Sequence, residues 1–122
     1  MLTVRKKQLA ALEDEFQRRH GDRIEKILAG VFPQKAEQLG ETGLAAAVKE
    51  GVARAREHGF DRPENIERYI HLLFLLDVPD LGATPETEWA LDILDWPNAE
   101  EDLKIAALEK RVRDDQIRAL VK

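Results

Sequence analysis

Apolar residues recur at three- and four-residue steps along almost the whole chain, and no stretch alternates apolar with polar residues convincingly enough for a strand. That spacing places one apolar face on each segment and commits the chain to an all-α fold, a compact bundle of about five helices in a single domain. The first segment, about Thr3 to Val31, carries Leu9, Leu12, Phe16, Ile24, Ile27, Leu28 and Val31 on one stripe, with His20 between Phe16 and Ile24. Gly21 interrupts it and predicts either a kink or a second helix starting at Asp22, since glycine costs about 1 kcal/mol relative to alanine in a helix interior. Pro33 ends it, because the residue before a proline avoids helical angles.

The second helix is predicted from about Thr42, as its cap, to His58, with Gly59 as a left-handed exit. Its face is small (Leu44, Ala47, Val48, Gly51, Val52, Ala55), which lets a neighbour approach closely and makes this helix central. The third begins after Asp61, with Pro63 in the first turn and Glu64 where the helix dipole favours a negative charge. Ile66, Tyr69, Ile70, Leu73, Phe74 and Leu76 make it the most apolar, and Asp77 to Gly82 form a loop. A short fourth helix starts at Thr84-Pro85 and stops before Pro97. Asn98 and Glu101 have the spacing of a capping box for the last helix, which runs to Lys122. Residues 1–96 are read as the bundle core and 97–122 as a charged amphipathic helix that packs on it, projects from it or docks on a partner.

At 122 residues the chain fits one domain, and its 43% apolar content is too high for disorder. It has no cysteine, which excludes a disulfide framework and cysteine-bound zinc. The formal charge of −5 and the interleaving of Arg and Lys with Asp and Glu argue against nucleic acid as a partner. Nothing resembles a signal peptide, and the apolar run Leu72–Leu76 falls far short of the ~20 residues that span a bilayer, so no membrane role and a cytoplasmic location are expected.

Chemistry is hard to place on these residues. With neither serine nor cysteine most acyl-transfer chemistry is out of reach, and Thr3, Thr42, Thr84 and Thr87 read as helix-start or loop residues. His20, His58 and His71 fall on three different helices without a second histidine four residues away, so no metal site is expected. Adjacent carboxylates such as Asp114 and Asp115 do not face each other on a helix and read as a solvated face. No catalytic residue and no cofactor is expected, and the chain is read as not an enzyme.

A binding surface is the alternative to a catalytic one. Arg54, Arg56, His58 and Phe60, on helix two and the turn after it, are the candidate protein-binding residues, because arginine makes forked bonds to carboxylates and is enriched at interfaces. Against this, Arg54 and Arg56 can simply be solvated residues pairing with Glu50 and Glu57. Trp96, beside a proline at a helix end, is the other candidate. Trp89, Trp96, Phe60 and Tyr69 are expected to cluster around the loops joining helices two, three and four, with Trp89 and Tyr69 as core.

Four stretches carry a resemblance: Leu2-Thr3-Val4-Arg5-Lys6-Lys7-Gln8-Leu9, the segment Gly51 to Gly59, Arg68-Tyr69-Ile70, and Trp89-Ala90-Leu91-Asp92-Ile93-Leu94. Together they resemble small helical accessory proteins, co-chaperone-like, that bacteria encode beside type VI secretion effectors and their adaptor chaperones. The resemblance covers residues 2–95 and leaves the last helix out. It implies a non-enzymatic protein-binding role, with an effector-adaptor chaperone or the effector as partner. Two alternatives stay open: an immunity protein that blocks the toxic effector directly, and a regulatory or structural helical module unrelated to secretion. The apolar stripe of the last helix suits a homodimer as well as closure of a monomer.

Overall fold

Prolines and glycines set the joints between helices. In the computed structural model, which describes residues 15–121, the α-helices are α1 (Asp22–Val31), α2 (Pro33–Glu57), α3 (Pro63–Leu76), α4 (Ala90–Leu94) and α5 (Glu101–Val121). A π-helical turn, Gln17–Gly21, precedes α1, and a 3-10 turn, Pro85–Thr87, precedes α4. There is no strand among the described residues, so the all-α expectation holds. The expected start at Thr3, with Leu9 and Leu12, lies outside the described residues.

Gly21 is where the first segment departs from regularity. Its backbone stays helical and the π turn passes directly into α1, so the sequence signal marks a widened turn and not a break. Phe16, Ile24 and Leu28 are buried while Ile27 and Val31 are exposed, a narrower stripe than expected. Pro33 ends α1, as Phe32 turns out of helical angles, but it also opens α2 from a first-turn position. The helix expected from about Thr42 is therefore the second part of α2, after a break, and the part before it, residues 33–39, was not foreseen. Gly40, at φ 71°, divides α2, and the piece before it has few apolar residues to reveal it. The left-handed exit at Gly59 is present, with φ 91°. Phe60 N–H donates to the Ala55 carbonyl and Gly59 N–H to that of Arg56, the paired bonds of a Schellman motif.

Helix α2 lies between α1 and α3. Gly51 is a point of close approach: a Cβ there would sit 2.7 Å from Ile70 Cγ1 of α3. The small face predicted for this helix does bring a neighbour close. Val48, Val52, Ala55, Ile66, Tyr69 and Ile70 make the centre of the core, each at most 1% exposed.

Helix α5 completes the bundle against α3 and α4. Its Ile105, Leu108 and Val112 are buried, each worth about 1.5–3 kcal/mol of burial, whereas Ile117 and Leu120 stay exposed. The last helix thus packs by its first half. Ion pairs and hydrogen bonds fix its direction: Arg62 meets Asp102, Asn65 meets Glu101 and Asp102, and Arg68 meets Glu109, so α3 and α5 run parallel. Parallel neighbours need a long return, and the crossover from Asp77 to Glu100, carrying α4, supplies it.

Two predicted caps are built differently. Asn98 sits at φ 60°, and Glu101 does not close a box with it. The Glu101 carboxylate accepts from the backbone N–H groups of Asp61 and Arg62, at 3.2 and 2.9 Å, and so caps α3. Thr84 makes no side-chain bond to the helix start; its hydroxyl meets that of Thr87 at 3.0 Å, and the expected fourth helix is split into the 3-10 turn and α4.

Candidate functional site

The residues predicted for binding on α2 turn mostly inward. Phe60 is fully buried, its ring 5.5 Å from that of Tyr69, because the Schellman turn at Gly59 drives it into the core. It cannot line a docking surface, which corrects the expectation. His58 Nε2 lies 3.0 and 3.2 Å from the Asp80 carboxylate oxygens. Asp80 also accepts from the Tyr69 hydroxyl and from the Leu81 N–H. This network fastens the crossover to the end of α2. Burial first, and the bond to Asp80 second, hold the Tyr69 hydroxyl far above its ordinary range.

Arg54 lies between Glu50 and Glu57, at 2.8 and 3.3 Å, the pairing that the ordinary reading foresaw for it. Arg56 behaves otherwise: its guanidinium lies over the Phe16 ring, 5.6 Å from the centroid. Its buried Nε has no hydrogen-bond partner among the described residues. Little of this patch is left to meet a partner.

Between α3 and α5 runs a polar seam. Asn65, 1% exposed, donates to both Glu101 and Asp102. Burial works to raise the Glu101 pKa, but the bonds from Asn65 and the two backbone N–H groups outweigh it and leave the carboxyl below its ordinary range. Asp102 is lowered as well, first by Asn65 and then by Arg62. Every polar group of the seam is engaged, which marks it as structural.

The clefts that open on the surface include two that border α3 or the crossover. One of about 360 Å³ has Ile24, Ile27 and Leu28 of α1 on one side and Glu67, Arg68 and His71 of α3 on the other. Its Glu67 is paired with Arg23, and its Glu109 with Arg68. The other, about 480 Å³, lies between the crossover and the second half of α5, lined by Leu76, Trp89, Val112 and Ala119 among others. Among the described residues no group of three His, Asp or Glu side chains could hold a metal ion.

The crossover itself is the most unusual surface. Residues 77–102 contain nine carboxylates and no Lys or Arg, so the rest of the chain, with 15 acidic and 19 basic residues, has a net charge of +4. Asp77 pairs with Lys35, Asp80 is held by His58 and Tyr69, and Glu101 and Asp102 belong to the seam. Glu86, Glu88, Asp92, Asp95 and Glu100 are exposed and make no ion pair with any described residue. On α4, Ala90 and Leu94 point inward, while Leu91, Asp92 and Asp95 form the outer side.

Trp96 follows on that outer side and is 41% exposed. Lys104 Nζ donates to the Leu94 carbonyl at 2.9 Å, which holds the first turns of α5, with the 61% exposed Leu103, beside the end of α4. The expected aromatic cluster is therefore divided. Phe60 and Tyr69 are interior, Trp89 is clamped under Arg111 at 4.8 Å, and Trp96 faces out. The run of unopposed carboxylates was legible in the sequence, but it forms no motif, and an even mixture of charges along the other helices hides it.

Against known proteins, the chain matches no family model, no curated protein and no solved structure.

Proposed function

We propose that this chain is a non-enzymatic protein-binding accessory, a co-chaperone acting on a type VI secretion effector–adaptor pair in the producing cell. The observation that carries the binding part is Trp96 in the turn after α4, a tryptophan left 41% exposed, with Leu91 of α4 and Leu103 at the start of α5 exposed as well. Tryptophan is strongly enriched at interface hot spots, and the part of the Trp96 ring that the domain leaves uncovered is apolar surface open to a partner. The secretion context rests on the resemblance of residues 2–95, of which Trp89 to Leu94 supply the inner and outer sides of α4.

The test is pairwise co-purification of the tagged chain with an effector, its adaptor and the spike-tip protein encoded together. A stable complex with the adaptor is the expected result. Binding to the toxic domain alone, with protection of cells, would replace the reading by immunity. Binding to none of them would refute the secretion role.

A further inference from the structure

The exposed apolar groups of the crossover sit in a field of one sign, and that fixes what can cover them. Leu91 shares the outer side of α4 with Asp92 and Asp95, and Trp96 follows directly. Glu86 and Glu88 stand before the helix and Glu100 after it, none with an ion pair to a described residue. An acidic or neutral segment laid along α4 and over Trp96 would bring the carboxylates beneath it, Asp92 and Asp95 first, out of water without compensation. A segment bearing Arg or Lys between its apolar side chains would pair with them as it covers the ring. The molecule already contains one such contact, Arg111 over Trp89, and the exposed face of Trp96 offers the same acceptor to a cation from outside.

The geometry points to a docking face for a cationic, apolar-bearing segment of a partner protein, anchored at Trp96 and running along the acidic crossover that carries Glu86, Glu88, Asp92, Asp95 and Glu100. This deepens the protein-binding reading above by naming the chemistry of the partner. The opposed ion pairs are rim contacts that steer approach and set salt dependence, and Trp96 with Leu91 supplies the anchor.

The experiment uses the full chain and a labelled synthetic amphipathic peptide, rich in Leu and Arg, with a Leu- and Glu-rich peptide of equal length as control. Fluorescence anisotropy should show binding of the cationic peptide alone, weakening steeply as salt rises from about 50 to about 200 mM. Trp96→Ala should weaken it roughly tenfold or more. Changing Glu86, Glu88, Asp92, Asp95 and Glu100 together to Gln or Asn should do the same. A second five-fold variant, at Asp22, Glu37, Glu41, Glu50 and Glu57, removes the same charge from exposed positions elsewhere and should bind almost normally.

Equal loss in both five-fold variants, or indifference to Trp96→Ala, would overturn the assignment, as would failure of the cationic peptide to bind. Salt-sensitive self-association in sedimentation, abolished by Trp96→Ala, would give the face to a second copy and equally overturn it. If the adaptor binds the crossover variant as well as it binds the original chain, this inference fails while the co-chaperone reading stands.

Discussion

Replacing Gly51 by alanine tests whether the small face of α2 is needed for packing. The added Cβ would lie 2.7 Å from Ile70 Cγ1, 3.3 Å from Cδ1 and 3.5 Å from Cγ2. Ordinary contact begins at 3.4 Å, so Ile70 must retreat by about 0.7 Å, and its branched, fully buried side chain has no free space to enter. Such overpacking costs about 1–3 kcal/mol. Alanine recovers about 1 kcal/mol of helix propensity, which leaves a net loss of about 1 kcal/mol, or about 4 °C in Tm for a domain of this size. Ile70→Ala alone should cost about 2–5 kcal/mol. In that background the obstructing atoms are gone, and Gly51→Ala should become stabilising by about 1 kcal/mol. Urea titration followed by far-UV circular dichroism on the four proteins gives the coupling, expected near 2 kcal/mol. Stabilisation by Gly51→Ala in both backgrounds would refute a close α2–α3 approach.

Further perturbations follow from the same geometry. Glu101→Gln should destabilise by about 1 kcal/mol, because it weakens the cap on α3. The Glu101 carboxyl is held below its ordinary value of 4.5, so its contribution is complete above about pH 4.5 and disappears as pH falls through the lowered folded value. The acid limb of a stability–pH curve should therefore be shallower in Glu101→Gln. Tyr69→Phe removes the hydroxyl from the Asp80 network and should cost about 1 kcal/mol in a thermal melt, with Asp80 still held by His58 and Leu81 N–H. Trp96→Ala should cost about 1–3 kcal/mol, because about three-fifths of the ring is covered in the fold, and a thermal melt showing a folded variant separates its effect on binding from loss of structure.

Most of the architecture was legible because each helix buries its own periodic face. Pro63, Gly59 and the run from Ile66 to Leu76 each carried a local signal strong enough to survive packing. What sequence missed was decided between elements. The first turns of α2 are polar, so nothing in their spacing announced a helix. Glu101 had a plausible local partner in Asn98, but the N–H groups of Asp61 and Arg62 at the start of α3, distant in sequence, proved the better donors to its carboxylate. Phe60 looked like a surface anchor beside two arginines, and only the turn at Gly59 decides that it points inward. Trp96 was singled out by its place at a helix end, whereas nearness in sequence to the loops wrongly grouped it with Phe60 and Tyr69.

The cap that Glu101 places on α3 also orders events during synthesis. Asp61 and the carboxylate that its N–H reaches are 40 residues apart, with the whole crossover between them. A ribosome adding 5–20 residues per second needs about 2–8 s to bridge that interval. Throughout it, α3 has been made without its cap and without the Ile105 and Leu108 side chains that cover it. The nascent chain therefore carries an unfinished apolar face until its final helix emerges, and a transcript truncated anywhere in the crossover would yield a product unable to close.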